Sequence, residues 1–158
     1  MIATCESPSS APGRWLAITW QRFSGPRFLP CDLVIIDNVI DHTYAPEKIL
    51  NEISRVLVDS GRLYLSVNVH TGWGAVLHDL LAVLRIDKGH PYTFTSDTLR
   101  QLLERNRFAI HLERIGDYHD ARAADRRSAG VTDRIKGYSG MSEFQHLVLC
   151  SKVVPGAN

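Results

Sequence analysis

An α/β fold on a mixed sheet is predicted by three observations. Leu33-Val34-Ile35-Ile36 is a short, continuous apolar run, as in a strand covered on both faces. A helical pattern separates it from a second strand, Leu63–Val69, and two strands joined in this way form a right-handed crossover. A last strand, Phe144–Val153, follows a long polar segment, Gly116–Ser142, which leaves room for it to return antiparallel.

Each element has its own signals. Residues 1–30 read as an irregular N-terminal segment. Trp15 to Trp20 could form one short strand, while Pro8, Pro12, Pro26 and Pro30 break anything longer. The regular pattern, and with it the domain spanning 31–154, begins near Asp32. Pro46 suits the first turn of a helix, and Ile49, Leu50, Ile53, Val56 and Leu57 then form one apolar stripe. Gly61 is placed to end that helix as a left-handed cap. A second helix is expected from Trp73 to Leu84, with Trp73, Val76, Leu77, Leu80, Leu81 and Leu84 on its packed face. Gly89-His90-Pro91 breaks the pattern. Thr95 or Ser96 then caps a third helix carrying Leu99, Leu102 and Leu103, and Phe108–Ile115 alternates as a strand.

Composition narrows the functional classes. The chain has 158 residues, 44% hydrophobic and 22% charged, enough for one ordinary globular domain with a real core. A formal net charge of +1 gives no electrostatic case for nucleic acid or an anionic membrane. The densest basic run, Arg122–Arg134, is interrupted by Asp125 and Asp133 and reads as a solvated loop rather than a phosphate-binding patch. No apolar run approaches the roughly 20 residues that a spanning helix needs. Met1–Gly13 lacks the basic-then-apolar pattern of a signal peptide. Cys5, Cys31 and Cys150 are odd in number and widely spaced, so reduced thiols in the cytoplasm are expected. Neither HxxxH nor HExxH occurs among the seven histidines, so no metal is expected, and both GxSxG and a P-loop are lacking.

Several stretches together resemble class I S-adenosylmethionine-dependent methyltransferases of the type 11-like group. Cys31-Asp32-Leu33-Val34-Ile35-Ile36-Asp37-Asn38-Val39-Ile40-Asp41-His42 is similar to their fourth strand and the loop after it. Pro46–Leu57, with Glu52, Arg55 and Val56-Leu57, resembles their next helix. Asp59-Ser60-Gly61-Arg62-Leu63 stands where the family places Lys-Pro-Gly-Gly, and His90-Pro91-Tyr92-Thr93-Phe94-Thr95 before a leucine helix is also similar. The resemblance covers about Asp32 to Val153. It implies a partial Rossmann-like methyltransferase fold in which the last strand is antiparallel. It also implies S-adenosylmethionine as cofactor, with Asp37, Asn38 and Val39 bordering its methionine end. His42 would face the substrate as a candidate general base, and Asn68, His70, His90 and Tyr92 would line the acceptor pocket, with the variable stretches Thr71–Tyr92 and Asp117–Ser142 shaping it.

The resemblance fails before Asp32. The family holds its cofactor mainly with a glycine-rich turn after the first strand and an acidic residue ending the second. Here Gly13 and Gly25 are isolated, and 31 residues precede Asp32. Three strands, two helices and their connections need roughly 53. The N-terminal cofactor-binding half is therefore expected to be missing, leaving Leu33–Ile36 as an open apolar edge that invites self-association. The aromatic stretch Trp15–Trp20 is a candidate cover for it. Three functions stay open: a truncated methyltransferase inactive alone, a half-enzyme completed by a partner chain, and a non-catalytic α/β binding module.

Overall fold

The computed structural model describes residues 15–17, 30–83 and 92–154. Trp15–Ala17 (β1) runs parallel to Cys31–Asp37 (β2), with Trp15 opposite Leu33 and Ala17 opposite Ile35. The edge expected to lie open is thus paired over Leu33–Ile35 by part of the N-terminal segment. Residues 18–20 of the candidate cover lie outside the described residues, as does Gly89-His90-Pro91.

β2 also pairs in parallel with Leu57–Val69 (β3), and Pro46–Val56 (α1) makes the crossover between them. Pro46 takes the first helical turn, as its fixed φ favours. The helix was expected to end at Gly61, but it ends at Leu57, whose backbone turns extended and enters β3 directly. Leu57 pairs with Cys31, and the ladder resumes at Arg62 opposite Leu33, so Val58–Gly61 forms a bulge within the strand. The turn-forming residues there interrupt a strand instead of capping a helix.

Gly72–Val83 (α2) follows β3, and Ser96–Arg105 (α3) precedes Phe108–Ile115 (β4). Thr95 caps α3 reciprocally with Thr98: each hydroxyl accepts the other residue's backbone N–H, at 3.2 and 2.8 Å. Gly116–Ser142, expected as a loop, contains two helices, Tyr118–Arg127 (α4) and Val131–Ser139 (α5). Asp117 starts the first by accepting from the N–H groups of His119 and Asp120, and Gly140 ends the second at φ +85°. Phe144–Lys152 (β5) closes the sheet, antiparallel to both of its neighbours, in the order β1-β2-β3-β5-β4.

One face of this sheet makes the core. Val34 and Ile36 of β2, Leu63, Leu65 and Val67 of β3, and Val148 and Cys150 of β5 join Leu50 and Ile53 of α1 and Leu99 and Leu103 of α3 in one buried cluster. Each such side chain contributes about 1.5–3 kcal/mol. Burial pushes the Cys150 thiol up to about 12, so it stays protonated and unreactive, with its S–H 3.6 Å from the Leu63 carbonyl. Leu33, Ile35, Tyr64, Leu147 and Leu149, which alternate with these residues, are half-buried. A polar chain ties α3 to β4 and β5. Asp97 accepts from Arg100 at 2.8 Å, Arg100 grips Glu113 at 2.7 and 3.1 Å, and Glu113 lies 2.6 Å from the buried His146 Nε2.

The face of α2 also differs from the expectation. Trp73, Val76 and Leu80 are exposed, while Gly74 and His78 are buried. A helix this uniformly apolar does not choose its own face. Gly74 chooses it, because a side chain there would begin 3.1 Å from the Gly140 carbonyl oxygen.

Candidate functional site

The carboxyl ends of β2 and β3 form one edge, the place where open α/β sheets bind ligands. Asp37 ends β2 with an exposed carboxylate. Asn38 then takes φ +49°, a left-handed conformation that a short polar side chain tolerates. Its N–H donates to the Ser66 carbonyl at 2.8 Å, and its Oδ1 accepts the N–H of Asn68 at 3.2 Å. Asn38 therefore locks the loop to β3. Val39 is buried behind it, and Ile40–His42 forms a single 3-10 turn.

That turn carries a carboxylate and an imidazole. Asp41 is only 4% exposed, and its Oδ2 lies 3.7 Å from Nε2 of the half-buried His42. The segment Tyr92–Phe94 bridges the two loops. Tyr92 donates its N–H to the Asp41 carbonyl at 3.3 Å, and the Phe94 carbonyl accepts from the His70 N–H at 2.8 Å. The Tyr92 and Phe94 rings stack with centroids 5.9 Å apart. The rim is extended by the start of β5, where Gln145 donates to the Ser66 hydroxyl at 3.1 Å and accepts the Gly116 N–H at 2.7 Å.

His70 turns inward at the end of β3. Burial lowers its pKa below the ordinary 6.5, opposed by Glu143 and reinforced by His78 and Lys136. Its ring lies 5.3 Å from that of His78, whose Nδ1 is 2.7 Å from the Thr93 hydroxyl. Lys136 reaches Glu143 at 2.7 Å.

The structure thus gathers Asp37, Asn38, Val39, His42, Asn68, His70 and Tyr92 at one edge; His90 lies outside the described residues. Within that set, Asn38 meets Asn68 directly, and Tyr92 meets the turn that carries His42. Sequence reasoning missed Asp41, His78, Thr93 and Glu143. For His78 a signal existed, a lone imidazole within an apolar helix; Glu143 gave none, because its contacts come from distant segments.

No family model matches the chain, and no curated protein matches it. Solved structures do. A putative methyltransferase from Bacillus halodurans is 17% identical, with 82% of this chain and 68% of that one covered at a TM-score of 0.53. The putative methyltransferase of Haloferax volcanii, solved in complex with the Trm112 methyltransferase activator, is 17% identical, with 87% and 61% covered at 0.55. In this chain an antiparallel strand, β5, separates β3 from β4. The chain has the class I methyltransferase fold. The [4+2]-cyclase SpnF shares this fold at 15% identity and 0.53, with 82% and 54% covered, so the fold alone does not name the reaction. Against the last two, the chain spans less than two thirds of the neighbour's length.

The exposed Asp37 carboxylate at the end of β2 can pair with a cationic group. Between β1 and β2 the sequence holds a single glycine, Gly25. No described helix is long and apolar enough to cross a membrane.

Proposed function

We propose that this chain is the acceptor-side half of an S-adenosylmethionine-dependent methyltransferase and is inactive without groups that complete the adenosine side. The observation carrying this reading is the Asn38–Asn68 lock, which holds Asp37 and the His42 turn together at the carboxyl edge of a methyltransferase-type sheet. Asp37 would hold the amino-acid end of the cofactor, which supplies an electrophilic methyl group when bound. The chain's own residues align the acceptor and exclude water around it. His42 accepts the proton that the acceptor loses, with the Asp41 carboxylate 3.7 Å from its Nε2.

An amide NMR titration of the whole chain with S-adenosylhomocysteine tests this. The expected result is weak binding, about 1 mM or looser, with shifts confined to Asp37–Val39 and Asn68 and abolished by Asp37→Ala. Tight saturable binding would overturn the claim that the site is incomplete. Silence at these amides would remove the cofactor reading and favour a non-catalytic binding module. In an enzyme reconstituted with a complementing chain, His42→Ala should lower turnover more than cofactor affinity.

A further inference from the structure

The helical hairpin α4–α5 is anomalous for its lengths. Helices of nine or ten residues depend on packing an apolar face, yet α4 buries no residue and α5 buries only Gly137. What holds the pair together is polar: the Nε groups of Arg122 and Arg126 both donate to the Gly137 carbonyl, at 2.9 and 3.0 Å. Gly137 permits this approach, since a side chain there would begin 2.8 Å from the Arg126 backbone nitrogen.

α5 nevertheless has an apolar stripe, and the stripe faces outward. Val131, Ile135 and Tyr138, at i, i+4 and i+7, are 63%, 61% and 69% exposed. With Arg126, Arg134 and Ser139 they line a shallow groove of about 660 Å³. The Arg126 guanidinium lies 5.2 Å from the centre of the Tyr138 ring, and among the described residues neither Arg126 nor Arg134 forms an ion pair. The nearby Asp133 carboxylate is engaged by the Ser128 hydroxyl at 2.6 Å.

We infer that this groove is a docking surface for an amphipathic helix of a partner protein, with an apolar face and acidic flanks. The apolar stripe matches the i, i+3, i+4 anchors of such a helix, and the two guanidinium groups match its carboxylates. A second copy of this chain fits poorly, because the same groove presented by it would bring Arg126 and Arg134 again and no lining carboxylate to meet them. None of the residues that carry the methyltransferase reading, Asp37, Asn38, His42 and Asn68, lines this groove.

The test uses the full chain and two synthetic helical peptides with leucines at i, i+3, i+4 and i+7, one flanked by glutamates and the other by lysines. Amide NMR should show saturable shifts over α4 and α5 with the acidic peptide and none with the basic one. Ile135→Asp, and separately Arg126→Gln with Arg134→Gln, should each weaken binding by about tenfold or more. Unchanged amide dispersion of the free variants, within α4 and α5 as well as outside them, confirms that they remain folded. Equal binding of both peptides, shifts elsewhere, or no binding would overturn the inference. It would also fall if sedimentation showed a dimer that Ile135→Asp dissociates, or if anionic phosphatidylserine vesicles occupied the stripe and the acidic peptide did not.

Discussion

The side-chain oxygen of Asn38 accepts the backbone N–H of Asn68 at 3.2 Å, across a separation of 30 residues. Together with the bond from the Asn38 N–H to the Ser66 carbonyl, this contact fixes the loop after β2 to the strand beside it, and Asn38 makes both from a left-handed backbone.

Two substitutions separate those contributions. Asn38→Gly keeps the backbone freedom and loses the side-chain bond; Asn38→Ala loses both. Urea denaturation should show Asn38→Ala destabilised by about 1–3 kcal/mol, and Asn38→Gly by less. Equal losses would mean that the left-handed conformation carries no cost here.

β1 protects the edge of β2, with Leu16 opposite Val34. Leu16→Pro removes a backbone donor from this short strand and should loosen the pairing. Hydrogen exchange at the Leu33–Ile35 amides should quicken by about tenfold or more, with a rise in concentration-dependent aggregation. Unchanged exchange would show that these amides are protected by other means.

His70 makes the fold sensitive to mild acid. Its folded-state pKa is held below 6.5 by burial, so the unfolded chain takes up the proton first. Its contribution is complete above 6.5 and is lost as pH falls through the lowered value. Unfolding midpoints measured between pH 7.5 and 5.5 should fall less steeply for His70→Gln than for the native chain.

Glu113 acts at lower pH. Hydrogen bonding from Arg100 holds its pKa below the ordinary 4.5, against the opposing effect of partial burial. The stability it contributes is complete above 4.5 and is lost as pH falls through the depressed value. The native chain should exceed Glu113→Gln in stability at pH 7, and the gap should close in acid. A constant gap would assign the difference to packing.

Local signals made much of the fold legible. β2, α1, α3, β4 and β5 each have an apolar pattern of the right period, and Thr95 marks the start of α3. Other features depended on distant partners. Gly61 looks like a helix cap, but the pairing of Leu57 with Cys31 makes it part of a bulge. The exposed side of α2 follows from Gly140, 66 positions beyond Gly74 in number and adjacent to it in space. Asp117 and Gly140 bracket α4 and α5 in the sequence, but without a buried stripe the stretch between them reads as a loop. At the site, residues of the right chemistry were legible at the strand ends. The bridge from Tyr92 and Phe94 to Asp41 and His70 was not, because backbone bonds between loops leave no pattern in residue type.

The place of β5 between β3 and β4 has a consequence for biosynthesis. On the ribosome, β4 emerges before the strand that must join it to the rest of the sheet. Until Lys152 clears the exit tunnel, β3 and β4 each present an unsatisfied edge to solvent or to a chaperone. This domain therefore closes its sheet only at the end of translation of that segment, and a ribosome stalled a few codons earlier leaves a nascent chain with two adhesive edges.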